Sequence, residues 1–349
     1  MTHLPEMLAA AAKERGAASV AIIEKAGAEP QAYWVPESDL EPAFLAYSIT
    51  KTFTAVLILR LCEERRLGLD DRLVRWFPHI THADQISLRR LLNHTAGIPD
   101  YGGLRAYHED VKASPSTPWS FDRFAAETFD KGLLFDLGEG WAYSNPGYML
   151  LKRIAEEAAG DSYRDLISEY IAGPLGLRRT FVAESITDLA ALAPGTSSAL
   201  SPDGASRDVR SHYHPGWVSH GVVASTASEL VRFLDSLFRG ALLTRHSIAQ
   251  MMELVTVPMP PHVPSSEQNR PPRYRKPSYG LGLMGDPASP RGLIVGHNGG
   301  GPCYSASAFH AFDLGGASVC AMGAIEEGFD AAALVFDVLD HLNTHLTRS

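Results

Sequence analysis

Residues 47–55 read YSITKTFTA and place Ser48 and Lys51 three positions apart, where a long apolar stretch begins. The stretch runs through residues 49–66 without Gly or Pro, and after Lys51 its only charge before Glu63 is Arg60. Such a pattern predicts a buried helix that begins close to Ser48. Because residues three apart share a helix face, the Lys51 amine can reach the Ser48 hydroxyl.

This pair of residues has a catalytic interpretation and a structural one. A serine hydroxyl is a poor nucleophile, and a desolvated lysine beside it can accept its proton. The N-terminus of a helix also favours a developing alkoxide. The alternative is that Ser48 caps the helix and Lys51 is solvated. The stretch alone leaves both interpretations open, so the rest of the chain must decide.

Composition limits the class of protein. The chain has 349 residues, of which 45% are hydrophobic and 20% charged, as in a globular protein with one large domain or two moderate ones. The net charge is −9 and the pI is about 5.9, so we expect neither a nucleic-acid partner nor an anionic membrane.

Targeting and metal-binding features are sparse. The first residues carry no basic segment followed by an apolar one, and no stretch reaches the roughly 18 apolar residues of a membrane span. We therefore expect a cytoplasmic location, unless a leader has been removed. Cys62, Cys303 and Cys320 are too few and too scattered for a disulfide framework or a zinc cluster.

The order of the predicted elements indicates an α/β (α+β) fold. An N-terminal hairpin, a mostly helical middle and a C-terminal strand meander with a final helix follow one another. Strands are predicted at residues 19–24, 31–35, 293–297, 305–313 and 317–324, and the last helix at 329–346. The simplest arrangement packs the hairpin beside the C-terminal strands in one antiparallel sheet flanked by helices.

Three segments of the chain follow from that arrangement. Residues 1–66 and 212–349 form the two parts of an α/β domain, and residues 67–211 form an inserted, mostly helical domain. Ser48 then lies at the seam between the domains, where small-molecule sites are common.

A second group of polar residues lies in a turn that precedes a strong helix. Tyr143 and Asn145 belong to the sequence GEGWAYSNPG at residues 138–147. A tyrosine hydroxyl can relay a proton if nearby ammonium charge depresses its pKa, and an asparagine can orient a lysine and donate to a substrate carbonyl. The structural alternative is an ordinary turn with a packed tyrosine.

A third group ends a predicted strand. Residues 295–301 read VGHNGGG, with His297 followed by a run of glycines. Glycines let a substrate approach the backbone, and their N–H groups can form half of an oxyanion hole. The alternatives are a hairpin turn and a phosphate loop, and the lack of a G-x-x-x-x-G-K-[ST] motif disfavours the latter.

The three groups, in this order, resemble the serine β-lactamase and penicillin-binding protein superfamily. They are most similar to the class C β-lactamase-like branch, with its esterases, D-aminopeptidases, D,D-peptidases and transesterases. Further motifs are similar too: LLNHTAGIP at residues 91–99, YSNPGY at 143–148, GPLGL at 173–177 and GHNGG at 296–300. The resemblance covers the chain from about residue 19 onwards and implies the same β-lactamase-like fold.

The resemblance also implies catalytic roles for several residues. Ser48 would be the acylated nucleophile and Lys51 its proton acceptor. Tyr143 would be the general acid/base for the leaving group and the deacylating water. Asn145 would position Lys51 and the substrate amide.

The glycine-rich segment would bind the substrate. The backbone N–H groups of Ser48 and Gly300 would form the oxyanion hole, with Gly299 beside them. His297 stands where many members have the lysine of a K-T-G motif, so we expect carboxylate recognition that varies near neutral pH. This departure and the missing leader argue against an efficient β-lactamase.

Three other histidines are possible metal ligands. His212, His214 and His220 could cluster, but no carboxylate or cysteine is placed to complete a site. We therefore expect no metal and no cofactor, and we assign His220 to the wall of a substrate pocket. The other walls are predicted at residues 101–118, 212–222 and 257–277, the last of them a Pro-rich loop that ends in a basic cluster.

The resulting prediction is a serine hydrolase that forms an acyl-enzyme with a small ester, amide or D-amino-acid peptide. A β-lactamase or D,D-carboxypeptidase is one alternative, and an acyltransferase is another. A non-catalytic penicillin-binding or sensing module, acylated without turnover, is the alternative outside enzymes. The sequence does not predict the physiological substrate or the oligomeric state.

Overall fold

A computed structural model describes residues 3–13, 15–258 and 273–346 of the protein. Most of the Pro-rich segment predicted as a pocket rim at residues 257–277 lies outside the described residues. None of the described helices is long and apolar enough to cross a membrane.

The described residues form thirteen strands and twelve α-helices. The strands are β1 (Ala18–Ile23), β2 (Gln31–Val35), β3 (Phe44–Leu45), β4 (Phe181–Ala183), β5 (Thr196–Ser197), β6 (Arg207–Asp208), β7 (Val222–Ser225), β8 (Val255–Thr256), β9 (Ser278–Tyr279), β10 (Met284–Asp286), β11 (Ile294–Gly300), β12 (Tyr304–Ala311) and β13 (Ala317–Ala324). The helices are α1 (Leu4–Ala12), α2 (Thr50–Glu63), α3 (Leu88–Leu92), α4 (Arg105–Ala113), α5 (Phe121–Glu127), α6 (Asn145–Ala159), α7 (Tyr163–Ile167), α8 (Gly173–Leu175), α9 (Val209–His212), α10 (Ala227–Phe238), α11 (Arg245–Met251) and α12 (Ala331–Leu346).

The larger sheet joins the two ends of the chain. Within the described residues it has the order β2-β1-β13-β12-β11-β10-β9-β8, and every pairing is antiparallel. Strand β1 lies between β2 and β13, with Val20 opposite Ala321. The α/β fold class and the prediction that the hairpin packs beside the C-terminal strands are therefore confirmed.

The central strands are buried on both faces, which explains their continuous apolar sequences. Val319 and Ala321 of β13 pack in a hydrophobic cluster with α1 and α12, whereas Cys320 and Met322 belong to the main core on the opposite face. Helix α10 covers that second face.

The short strands β8, β9 and β10 were not predicted. Two or three residues are too few to show an alternating pattern, and these strands extend the sheet only because β11 offers its edge. The final helix begins at Ala331, two residues later than predicted. Helix α11 begins at Arg245, where Thr244 caps it by accepting a hydrogen bond from the Ser247 N–H.

Within residues 67–211, helices α6 and α7 pack against α2 and against each other, and α3 packs against α6. A small sheet of order β3-β7-β4 connects this region to the rest of the molecule. The domain boundaries proposed from the sequence remain a prediction.

Helix α2 runs through the middle of the molecule. Its residues from Thr50 to Leu59 are all buried, and the Phe53 ring stacks on Phe233 of α10 with 3.9 Å between centroids. The 3-10 turn at Tyr47–Ile49 precedes the helix and packs against β11. Ser48 is thus held where α2 begins and β11 ends.

Candidate active site

Ser48 lies in a constrained turn rather than in the helix itself. Tyr47, the residue before it, has a left-handed backbone with φ of +44°. Its hydroxyl donates a hydrogen bond to the Pro302 carbonyl over 3.0 Å. A left-handed conformation in a non-glycine residue is costly and persists only where its surroundings hold it. The packing around Tyr47 therefore fixes the direction of Ser48.

Lys51 is fully buried and has three polar neighbours. Its Nζ lies 3.2 Å from Ser48 Oγ, 2.7 Å from Asn145 Oδ1 and 2.9 Å from His220 Nε2. Burial lowers the pKa of Lys51 well below its ordinary value, and the charge of Asp100 opposes that shift. The structure thus brings together four predicted site residues around an amine that favours its neutral form.

Tyr143 lies beside the same amine. The Lys51 Nζ is 4.7 Å from the centroid of the Tyr143 ring. Loss of hydration raises the pKa of Tyr143, and a hydrogen bond with the Ser48 side chain opposes the shift only in part. The condition that ammonium charge depresses this pKa is therefore not met, because the cost of burying a phenolate dominates.

Asn145 begins α6 and is held by Asp100, which belongs to none of the three groups of predicted site residues. The Asp100 carboxylate accepts hydrogen bonds from the Asn145 backbone N–H at 2.8 Å and from its Nδ2 at 3.3 Å. A third comes from the Gly102 N–H at 3.0 Å. Since Nδ2 faces a carboxylate, Oδ1 must face Lys51. The only sequence signal for Asp100 is its place after the Gly-Ile-Pro turn at residues 97–99.

His297 differs from the expectation of a substrate-binding cation. It is buried; its Nδ1 donates to the Asn298 carbonyl at 2.5 Å, and its Nε2 accepts from the Tyr279 hydroxyl at 2.9 Å. Burial, followed by the charge of Lys51, lowers the pKa of His297 to about 3. The imidazole is therefore neutral at physiological pH, and the expected titration near neutrality does not occur.

The two predicted substrate-binding glycines play different parts in the packing. A Cβ atom at Gly299 would lie 2.1 Å from the Ala46 carbonyl oxygen and 3.2 Å from the Ser48 nitrogen. A Cβ at Gly300 would meet nothing within 4 Å. Gly299 thus allows β11 to approach the nucleophile turn, while Gly300 lines the open cleft.

The cleft in front of Ser48 has a volume of about 580 Å³. Ser48, Asn145, His220 and Gly300 line it together with five tyrosines: Tyr47, Tyr101, Tyr107, Tyr213 and Tyr304. The predicted walls at residues 101–118 and 212–222 both contribute side chains. His220 therefore lies in the cleft wall, as predicted, and also contacts Lys51.

The described residues contain no group of three or more His, Cys, Asp or Glu side chains placed to hold a metal ion. His214, one member of the possible cluster, instead accepts a hydrogen bond on Nδ1 from the Gly216 N–H at 3.0 Å.

The family match and the similar proteins of known sequence agree with one another. The sequence matches the family described as Beta-lactamase over residues 9–319. It is 31% identical over 267 residues to penicillin-binding protein 4* of Bacillus subtilis strain 168, covering 74% of this chain and 55% of that protein. Penicillin-binding protein 4 of Amycolatopsis lactamdurans is 27% identical over 199 residues, covering 55% of this chain and 50% of that protein. The chain thus spans about half the length of these curated relatives.

Solved structures match over nearly the whole chain. A D-stereospecific amidohydrolase from Streptomyces sp. superposes with a TM-score of 0.80 at 27% identity, covering 97% of both chains. The D-amino acid amidase of Ochrobactrum anthropi SV3, in complex with D-phenylalanine, also has a TM-score of 0.80, at 21% identity, covering 100% of this chain and 99% of that one. The second match establishes a shared fold.

Proposed function

Because this chain belongs to the Beta-lactamase family, we propose that it is a serine hydrolase that forms an acyl-enzyme on Ser48. Its substrate would be a small ester, amide or D-amino-acid peptide. The observation that carries this proposal is the buried Lys51 amine, 3.2 Å from the Ser48 hydroxyl. Burial favours the neutral amine, which is the form that can accept a proton.

The proposed acylation involves three proton transfers: from Ser48 to Lys51, from Tyr143 to the leaving group, and from Lys51 back to Tyr143. The Ser48 Oγ proton passes to the Lys51 Nζ lone pair as Oγ bonds to the substrate carbonyl carbon. The carbonyl electron pair moves to its oxygen, which the N–H groups of Ser48 and Gly300 would stabilise. Collapse of this intermediate expels the leaving group with a proton from Tyr143, and water later releases the acyl group by the reverse sequence.

The raised pKa of Tyr143 supports its role as the acid in acylation. A phenol with a raised pKa keeps its proton at neutral pH and can donate it to a leaving amine or alkoxide. The Lys51 ammonium formed in the first step can then return a proton to the phenolate. Asn145 would hold Lys51 and donate to a substrate carbonyl only if Nδ2 left Asp100, so we assign it to positioning Lys51.

The state of His297 favours substrates without a carboxylate. A neutral imidazole with both nitrogens hydrogen-bonded offers no cation to an anionic group. The tyrosine-lined cleft suits an apolar or aromatic acyl group. We therefore favour an ester or amide without a carboxylate, including a D-amino acid amide, over a penicillin. The similarity to the D-stereospecific amidohydrolase from Streptomyces sp. supports the amide and the D-configuration.

Intact-mass spectrometry tests the proposal. We expect a transient adduct and steady release of p-nitrophenol from a short p-nitrophenyl ester, and slow or no acylation by a penicillin. S48A should abolish the adduct and turnover, and K51A should lower turnover by about 10²- to 10⁴-fold, as loss of a general base does. An S48A variant that still turns over the ester at the wild-type rate would contradict the proposal.

A second candidate function is a penicillin-binding module, which the similarity to penicillin-binding protein 4* supports. Such a module would give one equivalent of a persistent penicillin adduct without further product. Product analysis with a competing amine or alcohol separates hydrolysis from the acyltransferase alternative.

A further inference from the structure

The contact between His220 and Lys51 has no place in the steps described so far. His220 lies in the segment SHG at residues 219–221, which precedes β7, and it is 1% exposed. Its Nε2 is 2.9 Å from the Lys51 Nζ, a hydrogen-bond distance between two groups that can both carry protons. Its Nδ1 is buried without a hydrogen-bond partner among the described residues.

We propose that His220 is a positioning residue that accepts a hydrogen bond from Lys51 and thereby directs the Lys51 lone pair at Ser48. The inference rests on the proposed function, because it concerns the base that activates the nucleophile. It assigns His220 a role in acylation, beyond its place in the cleft wall.

A neutral amine has a fixed number of hydrogen-bond donors and acceptors. Neutral Lys51 has two N–H donors and one lone pair for its three neighbours. The Asn145 Oδ1 accepts one N–H, because the Asn145 Nδ2 donates to Asp100. If His220 Nε2 accepts the other, the direction left for the lone pair is that of the Ser48 hydroxyl.

The opposite tautomer of His220 would block the reaction. A proton on Nε2 would donate to the Lys51 lone pair, and the remaining Lys51 N–H would then point at Ser48 Oγ. Lys51 could not accept the serine proton in that arrangement. The proton of His220 therefore belongs on Nδ1, and Nε2 remains an acceptor.

The same tautomer also fits the protonated state of Lys51. An ammonium has three donors and no lone pair, and its neighbours then are three acceptors: Ser48 Oγ, Asn145 Oδ1 and His220 Nε2. No side chain needs to reorient when the proton moves from Ser48 to Lys51. Burial and the charge of Lys51 lower the pKa of His220, which keeps the imidazole neutral through the cycle.

Burst kinetics of the full-length protein with a p-nitrophenyl ester, together with intact-mass analysis of Ser48, test the inference. H220L fills the space of the imidazole but has no acceptor, and H220A simply removes it. Both should lower the acylation rate by about tenfold or more, with substrate affinity changed by less than about twofold. H220Q provides a carbonyl oxygen and should recover most of the rate.

The matched control is H310Q, which replaces a buried histidine that is hydrogen-bonded to Ser318 rather than to any site residue. It should acylate at the wild-type rate. Thermal melts confirm that each variant is folded, and H220Q against H220L remains a valid comparison if H220A does not fold.

Three outcomes would overturn the inference: wild-type acylation by H220L, an H220Q variant as slow as H220L, or a loss confined to substrate affinity. A loss confined to substrate affinity would show that His220 only lines the cleft. Failure of the wild type to form any Ser48 adduct would instead overturn the proposed function, and it is distinguishable because it appears before any variant is made.

Discussion

At the scale of single residues, the orientation of one amide determines what Lys51 can do. Asn145 would present either an oxygen or an NH₂ group to the amine if nothing fixed it. Asp100 settles the choice by accepting from Nδ2, and it also carries a negative charge that raises the pKa of Lys51 against the effect of burial. Asp100 is therefore both a positioning group and an electrostatic one.

We expect D100N to lower kcat/KM by about 100-fold, because an amide in place of the carboxylate lets the Asn145 side chain turn. Removing the charge should also lower the pKa of Lys51, so the acidic limb of the pH–rate profile should move to lower pH. A purely structural defect would not move that limb. D84N, a change of an exposed carboxylate, serves as the control, and a D100N limb at the wild-type pH would contradict the prediction.

The site residues differ in how far a sequence can indicate them. Ser48 and Lys51 could be selected because a spacing of three residues at the start of a predicted helix places them side by side, although Ser48 itself lies in the 3-10 turn before α2. Asp100 and Tyr279 were not, because their contacts join segments far apart in the chain. The position of His297 was predicted, but its pKa depends on burial and on Lys51, which a sequence does not show.

At the scale of elements, the site depends on how closely the end of β11 approaches the turn before α2. Gly299 lies at the contact, where any side chain would overlap the Ala46 carbonyl. The neighbouring Gly300 faces open space. The two adjacent glycines therefore provide a matched pair for testing the contact.

We expect G299A to push β11 away from Ser48, to lower thermal stability and to reduce turnover by about 10²- to 10³-fold, as loss of an oxyanion-hole donor does. The overpacking should cost about 1–3 kcal/mol of unfolding free energy. G300A should melt as the wild type does. Equal melting temperatures for the two variants would show that the close approach is not needed.

Elements with long apolar or capped sequences were predicted well. Strands β1, β2 and β13 begin and end within one residue of their predicted bounds. Residues 226–229 read TASE, the pattern of a capping box, and Thr226 caps α10 by accepting a hydrogen bond from the Glu229 N–H. The reciprocal half of the capping box is not formed, because the Glu229 carboxylate instead accepts from the Arg179 N–H and the Thr180 hydroxyl. A local sequence pattern does not predict tertiary contacts of this kind.

At the scale of the whole molecule, several histidines are buried without charge. Among the described residues, the buried histidines are His94, His220, His297 and His310. Burial lowers the pKa of each, to about 3 for His297 and to about 4 for His310. Their folded pKa values lie below that of an unfolded histidine, near 6.5. The unfolded chain therefore binds more protons in acid, so the stability that they contribute is complete above pH 6.5 and is lost as the pH falls.

We expect the unfolding free energy to fall steeply between pH 6.5 and pH 4.5, above the usual range of carboxylate titration. Each such histidine contributes about 1.4 kcal/mol per pH unit where only its unfolded form is protonated. H310Q should reduce the slope by about that amount. Chemical denaturation at a series of pH values measures the slope, and an unchanged slope in H310Q would contradict the assignment.

The antiparallel pairing of β1 with β13 has a consequence for synthesis on the ribosome. Strand β1 is synthesised well before β13 and can acquire this partner only after residues 317–324 have emerged. Until then the edge of the N-terminal hairpin that faces β13 is exposed. A nascent chain released before that point would carry an unpaired strand edge, which is prone to aggregation.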